Sequence, residues 1–250
     1  MATAAVAGAM AAGSGASAEP SDELARPEVA LHLRAVHAAV APKIDGKLDD
    51  AVWNLAPAYP LSLPEDARES GRAAPKFGAT AQFAWDQKYF YVAVRMADDD
   101  VVTECESDGQ YAYRMGDLAE VFLKPVGRSW YWELYATPNG HQTTFFWPSG
   151  GRRLPSALQT ANELTVAAQV QGTLNHPADR DRGWTAEFAI PLALLERKGD
   201  SFGPGAKWTI LVGRYNYSIS LDAPELSTLP ALAKTDFHRT KEYAPLTIEP

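Results

Sequence analysis

Cysteine is nearly absent: Cys105 stands alone in 250 residues, so neither an intrachain disulfide nor a thiolate metal cluster can form. Its neighbours Glu104, Glu106 and Asp108 are acidic, which raises a thiol's pKa and disfavours a reactive nucleophile. Concentrated positive charge is missing too. There are 23 basic against 31 acidic residues, a net charge of -8, and no Lys/Arg run exceeds the two residues of Arg152-Arg153. A phosphate backbone demands a basic patch, so no nucleic-acid partner is expected. No run of about 18 strongly apolar residues occurs after the N-terminal segment, and no transmembrane span is expected. The five histidines show no H-x-x-x-H or H-x-H spacing for zinc, and no G-x-S-x-G elbow is present. A glycosidase needs two carboxylates flanking the scissile bond; Glu120, Glu133 and Glu187 are available, but nothing in the sequence pairs them.

What remains is a chain that is 46% apolar and 22% charged, enough to bury a full core. Residues 1–18 are almost all Ala, Gly, Ser, Val and Met and end in Ala16-Ser17-Ala18, an A-x-A pattern that looks like the end of a secretory signal peptide without its basic n-region. Export to a secreted or periplasmic location is expected. Residues 19–41 read as a polar linker leading into a first strand region, and 42–250 as one domain.

From Ala30 onward the hydrophobic period is two. Ala79, Ala81, Phe83 and Trp85 alternate with Thr80, Gln82 and Ala84; the turn Asp86-Gln87-Lys88 follows, and then Phe90, Val92, Val94 and Met96 alternate again. Two such runs joined by three residues predict a hairpin. Further strands are predicted at 118–124, 130–136, 141–146, 165–171, 184–190, 207–217 and 246–248. Only two short helices are expected, at 49–56 and 191–196. Many short strands with Gly/Pro turns and little helix predict an all-β fold, an antiparallel β-sandwich of immunoglobulin or jelly-roll type. Trp53, Trp85, Trp184 and Trp208 fall in phase with the apolar positions and are assigned to the core.

Five segments, in order, carry a resemblance. They are Ile44-Asp45-Gly46-Lys47-Leu48-Asp49-Asp50-Ala51-Val52-Trp53, the hairpin around Phe83-Ala84-Trp85-Asp86 and Tyr89-Phe90-Tyr91-Val92, and Gly116-Asp117-Leu118-Ala119-Glu120-Val121-Phe122-Leu123. The last two are Gly183-Trp184-Thr185-Ala186-Glu187-Phe188-Ala189-Ile190-Pro191 and the end, Phe237-His238 with Tyr243-Ala244-Pro245-Leu246. Over residues 42–250 the chain resembles the family 9 carbohydrate-binding modules, DOMON-like β-sandwiches. The resemblance implies a secreted, non-catalytic module that binds oligo- or polysaccharide, typically at chain ends, and accompanies glycoside hydrolases in polysaccharide catabolism. It implies calcium as well, with Asp98 of the Asp98-Asp99-Asp100 turn at the ligand position; hard oxygen donors suit that ion.

A pyranose offers apolar C–H faces to an aromatic ring and a rim of hydroxyls to Asp, Glu, Arg or Asn. The resemblance places one stacking ring just upstream of Asp117, where Tyr113 or Arg114 stands, and a second near the C-terminus, where Phe237 and His238 stand. Both positions lack the family's tryptophan. Asp117 and Glu120, and on the next strand Glu133, are candidates for sugar hydroxyls. Loop aromatics at such an edge are expected to lie outside the core. The alternative is a related sandwich that holds haem, with Met96, Met115 and His141 as available ligands, or a cell-surface interaction module.

Overall fold

A computed structural model of the chain describes residues 31–69, 72, 74–149 and 163–250. The sequence readings of residues 1–18 and 19–30 lie outside these. The strands are β1 (Leu33–His37), β2 (Tyr59–Pro60), β3 (Ala79–Trp85), β4 (Tyr89–Ala97), β5 (Leu118–Pro125), β6 (Tyr131–Ala136), β7 (Gln142–Trp147), β8 (Thr165–Val170), β9 (Gly183–Pro191), β10 (Trp208–Asn216), β11 (Glu225–Leu229) and β12 (Ala244–Ile248). Three short helices accompany them, α1 (Ala51–Leu55), α2 (Glu65–Glu69) and α3 (Leu192–Leu195). The fold is mostly β, as the period-two pattern requires. Among the described residues no helix is long and apolar enough to cross a membrane.

Among the described residues all twelve strands belong to one sheet, in the order β7-β6-β5-β10-β12-β1-β3-β4-β9-β8, with β11 on β10 and β2 on β3. The sheet folds over on itself, so that β6 packs against β8 and β9 from the opposite end of the order. The expectation of a wholly antiparallel sheet is corrected at one place: β1 runs parallel to both β12 and β3. Parallel neighbours need a long crossover, and the chain provides one: residues 38–78 separate β1 from β3, and β12 is the last strand.

Strand alternation divides the side chains into three clusters. The inner core joins both arms of the folded sheet and holds Phe83, Val92, Trp132, Trp184, Phe188 and Trp208, each almost fully buried. The outer face of β1, β3, β4 and β9 is covered by α1 through Trp53 and Val52. The outer face of β5, β6, β7 and β10 is covered by loops that carry Cys105, Ala112, Leu232, Phe237 and Tyr243. The four tryptophans assigned to the core are buried there: Trp53, Trp85, Trp184 and Trp208.

The opening motif has a physical explanation in one carboxylate. Glu187, fully buried on β9, accepts the backbone N–H groups of Asp45 (3.0 Å) and Gly46 (2.7 Å) and the indole N–H of Trp53 (2.9 Å). A buried charge needs such partners. Gly46 has φ +80°, and a Cβ there would lie 2.7 Å from the Ala168 carbonyl carbon, so only glycine fits the turn. Glu187 is thereby a structural residue of the opposite arm.

Candidate functional site

The outer face of the β5–β6–β10 arm carries a cavity of about 300 Å³. On β5, Leu118, Glu120 and Phe122 face outward while Ala119, Val121 and Leu123 enter the inner core. On β6, Glu133 and Tyr135 point the same way, and register sets Tyr135 opposite Glu120 and Glu133 opposite Phe122. The cavity is lined by Tyr113, Glu120, Phe122, Glu133, Tyr135, Tyr215, Leu226 and the loop residues 235–238. Four residues singled out from the sequence, Tyr113, Glu120, Phe237 and His238, are therefore brought together, with Glu133 beside them.

The aromatic wall is continuous. The Tyr113 ring lies 6.2 Å from Tyr215, and Tyr215 lies 5.3 Å from Phe237, centroid to centroid. Phe237 also meets Phe122 edge-on at 6.2 Å. His238 is held by its Nδ1 against the Tyr131 hydroxyl (2.8 Å) and lies 4.6 Å from the Trp147 ring. Gly213 makes this arrangement possible. It sits opposite Glu120 on β10, and a Cβ there would come within 2.5 Å of the Phe237 ring, so any side chain would displace Phe237.

At the polar end, Glu133 accepts hydrogen bonds from the Tyr135 hydroxyl and the Trp147 indole N–H. Glu120 and Glu133 are both buried. Burial, and then the charge of Glu133, push the Glu120 carboxyl well above the usual carboxylate range, against a smaller pull from Tyr135. Burial also raises the Tyr215 and Tyr135 hydroxyls, with the two glutamates adding to it.

Two candidates are placed elsewhere. Arg114 is exposed and lies over the Tyr113 ring, 5.2 Å from its centroid, lining a neighbouring groove with Thr103, Glu104 and Asn175. Asp117 is fully buried, and its two oxygens accept the N–H groups of Val102 (2.9 Å) and Tyr217 (2.8 Å). It ties loops together beneath the site and offers nothing to a ligand. Gly116 before it, at φ +128°, approaches Val102 too closely for a Cβ.

Asp98 is likewise taken. Its Oδ2 accepts from the Arg214 guanidinium at 2.8 Å, with both side chains essentially inaccessible, and its Oδ1 accepts the Asp100 N–H at 3.1 Å. Arg214 already supplies the positive charge that a cation would bring, so Asp98 does not fit a calcium ligand. Asp99 is occupied by Ser218, Ser220 and Arg180. Among the described residues no group of three or more His, Cys, Asp or Glu could hold a metal ion. Of the residues considered for haem, Met96 packs in the inner core, and His141 Nδ1 lies 3.2 Å from Asp108.

Tyr215, Tyr135 and Phe122 were not singled out by the sequence, though each falls inside a predicted strand. The available signal was Gly213, an isolated glycine within a strand, which marks close approach of another group.

The scaffold is mostly β and carries an aromatic-walled, carboxylate-floored cavity on one sheet face. The chain belongs to the carbohydrate family 9 binding domain-like family, whose model matches residues 44–205. Its fold is similar to that of a candidate carbohydrate-binding protein from Bacteroides uniformis (TM-score 0.65, 14% identity, covering 87% of this chain and 99% of that one). It is also similar to a family 9 carbohydrate-binding module from Caldicellulosiruptor kristjanssonii, solved with cellotriose (TM-score 0.56, 15% identity, 87% and 93% covered) and with glucose (TM-score 0.56, 15% identity, 87% and 95% covered). No curated protein matches the chain.

Proposed function

We propose that this chain is a non-catalytic carbohydrate-binding module whose sugar site is the cavity between Tyr113, Glu120, Tyr215 and Phe237. The observation that carries the reading is convergence. Residues far apart in sequence, from the 113 loop, β5, β6, β10 and the 235–238 loop, bring rings and carboxyls to one hollow. Its volume, about 300 Å³, suits a single sugar unit rather than a chain passing through. Rings cover the apolar sugar faces and Glu120 meets the hydroxyls, while Glu133, whose two oxygens are taken by Tyr135 and Trp147, sets the charge beside it. Glu133 is fixed by Tyr135 and Trp147, and both glutamates lie at the buried floor of the hollow. The scaffold is taken as a β-sandwich of immunoglobulin or jelly-roll type, with the two sheet arms as its layers.

The test is a glycan array followed by calorimetry on the best binder. Tyr113 is half-buried at the rim, so Tyr113→Ala should remove one contact surface with little effect on folding. A contact worth about 1–3 kcal/mol weakens binding roughly 5- to 150-fold. Unchanged affinity in this variant would move the site elsewhere.

Export and an accessory role beside a glycoside hydrolase belong to the same proposal. Protein from its native host should begin at or near Glu19 on N-terminal sequencing. An intact Met1 in the cytosol would overturn export.

A further inference from the structure

The charge around the cavity is one-sided. Glu120, Glu133 and Asp236 contribute three carboxyls, while no Lys or Arg stands among the described residues lining it. Two cations stand nearby: Arg114 lines the adjoining groove, and Arg239, paired with Glu242, lies within electrostatic reach of Asp236 rather than of Glu120. The remaining titratable groups facing Glu120 are the hydroxyls of Tyr113, Tyr135 and Tyr215 and the imidazole of His238, which is engaged with Tyr131. Glu120 and Glu133 sit diagonally on neighbouring strands, both buried. Two carboxylates in one dry site cannot both ionise cheaply, so the pair retains a proton.

We propose that the cavity selects sugars by charge, favouring a hexosamine with a free amine over a neutral sugar and rejecting uronic acids. The inference rests on the sugar-binding reading of this cavity. An ammonium group near Glu120 replaces the retained proton as the compensating charge and forms a charge-assisted hydrogen bond. A neutral hydroxyl meets only the protonated pair. A uronate would add a third negative charge to a cavity whose described lining holds no Lys or Arg. Charge-assisted bonds are worth roughly twice neutral ones, a gap of about 1.4 kcal/mol or tenfold in affinity.

The experiment compares glucose, glucosamine and glucuronate, and the trimers cellotriose and fully deacetylated chitotriose, by calorimetry on the intact protein. Glucosamine and its trimer should bind about tenfold tighter than their neutral counterparts, with glucuronate weakest. Binding of the amine should release a proton, so its enthalpy should follow the ionisation enthalpy of the buffer, whereas the enthalpy for glucose should not. Glu120→Gln should erase both the preference and the proton release. Should that variant fail to fold, the buffer dependence in the wild-type protein still decides. Equal affinity for amine and neutral sugars, or tight uronate binding, would overturn the charge selection while leaving the sugar site intact. If no sugar of any charge binds, the sugar-binding reading itself fails, and the selection with it.

Discussion

Asp98→Ala should cost about 3–5 kcal/mol of folding stability, because it strips the partner from a guanidinium that is only 1% exposed. Arg214 comes from β10 and reaches across the folded sheet to the carbonyls of Phe77 (3.0 Å) and Ala97 (2.7 Å) and to Asp98. Since β10 and β4 are four places apart in the strand order, this side chain braces the two arms from inside. Burial pushes the Asp98 carboxyl up and the Arg214 guanidinium down, and their contact holds each toward its charged form. Removing Asp98 takes away the carboxylate hydrogen-bonded to that buried charge, leaving the electrostatic pull of Asp117 and Glu225. For a chain of this length the loss corresponds to roughly 6–20 °C in melting temperature. The double variant Asp98→Leu with Arg214→Met should recover much of it, since apolar replacement of a whole buried pair is often neutral. Calcium separates this account from the resemblance-based expectation. A chelator should leave the wild-type melting curve unmoved, whereas a calcium-dependent rise that Asp98→Ala abolishes would restore Asp98 as a ligand.

The period-two pattern revealed most of the sheet because most strands bury at least one face, and burial of alternate residues is what the pattern records. It was silent at β11, where Glu225, Ser227 and Thr228 are buried polar residues. Glu225 is compensated by Arg72 and by the Lys76 N–H, and no hydropathy rule anticipates a strand stabilised by partners so far away. The parallel placement of β1 is equally illegible. Pairing direction is set by long-range closure of the sheet, whereas the pattern specifies only which face of a strand is apolar.

The site was legible in part for a related reason. Glu120 and Phe237 stand out because family motifs surround them, but the motifs do not distinguish a residue that touches a ligand from one that supports it. Asp117 illustrates the failure. It lies three residues before Glu120, so on alternating positions it should face away, and the structure uses it to fix two loop amides. Asp98 fails likewise, because its partner lies 116 residues away. Tyr215 was hidden by its own strand, where a tyrosine reads as ordinary packing.

Phe237→Ala should lose about 3–5 kcal/mol of stability in addition to sugar binding, contrary to the expectation that aromatics at the site edge lie outside the core. The ring is 5% exposed and packs against Phe122, Tyr215 and the backbone hollow at Gly213. Its own carbonyl accepts the Tyr243 hydroxyl at 2.7 Å, which anchors the loop to the sheet. Truncation therefore opens a void between the 235–238 loop and β10 and loosens the cavity wall. Tyr113→Ala should behave differently, weakening binding at nearly unchanged melting temperature, because that ring stands at the rim. The two variants separate the roles when thermal melts are run beside calorimetry performed well below either transition. Phe237→Leu keeps the wall filled and should regain most of the stability while binding stays weak, since a branched aliphatic side chain cannot present a flat face to the sugar. If Phe237→Ala melts like the wild type, the ring is not part of the outer-face core; if Phe237→Leu binds like the wild type, Phe237 supports the cavity without touching the ligand.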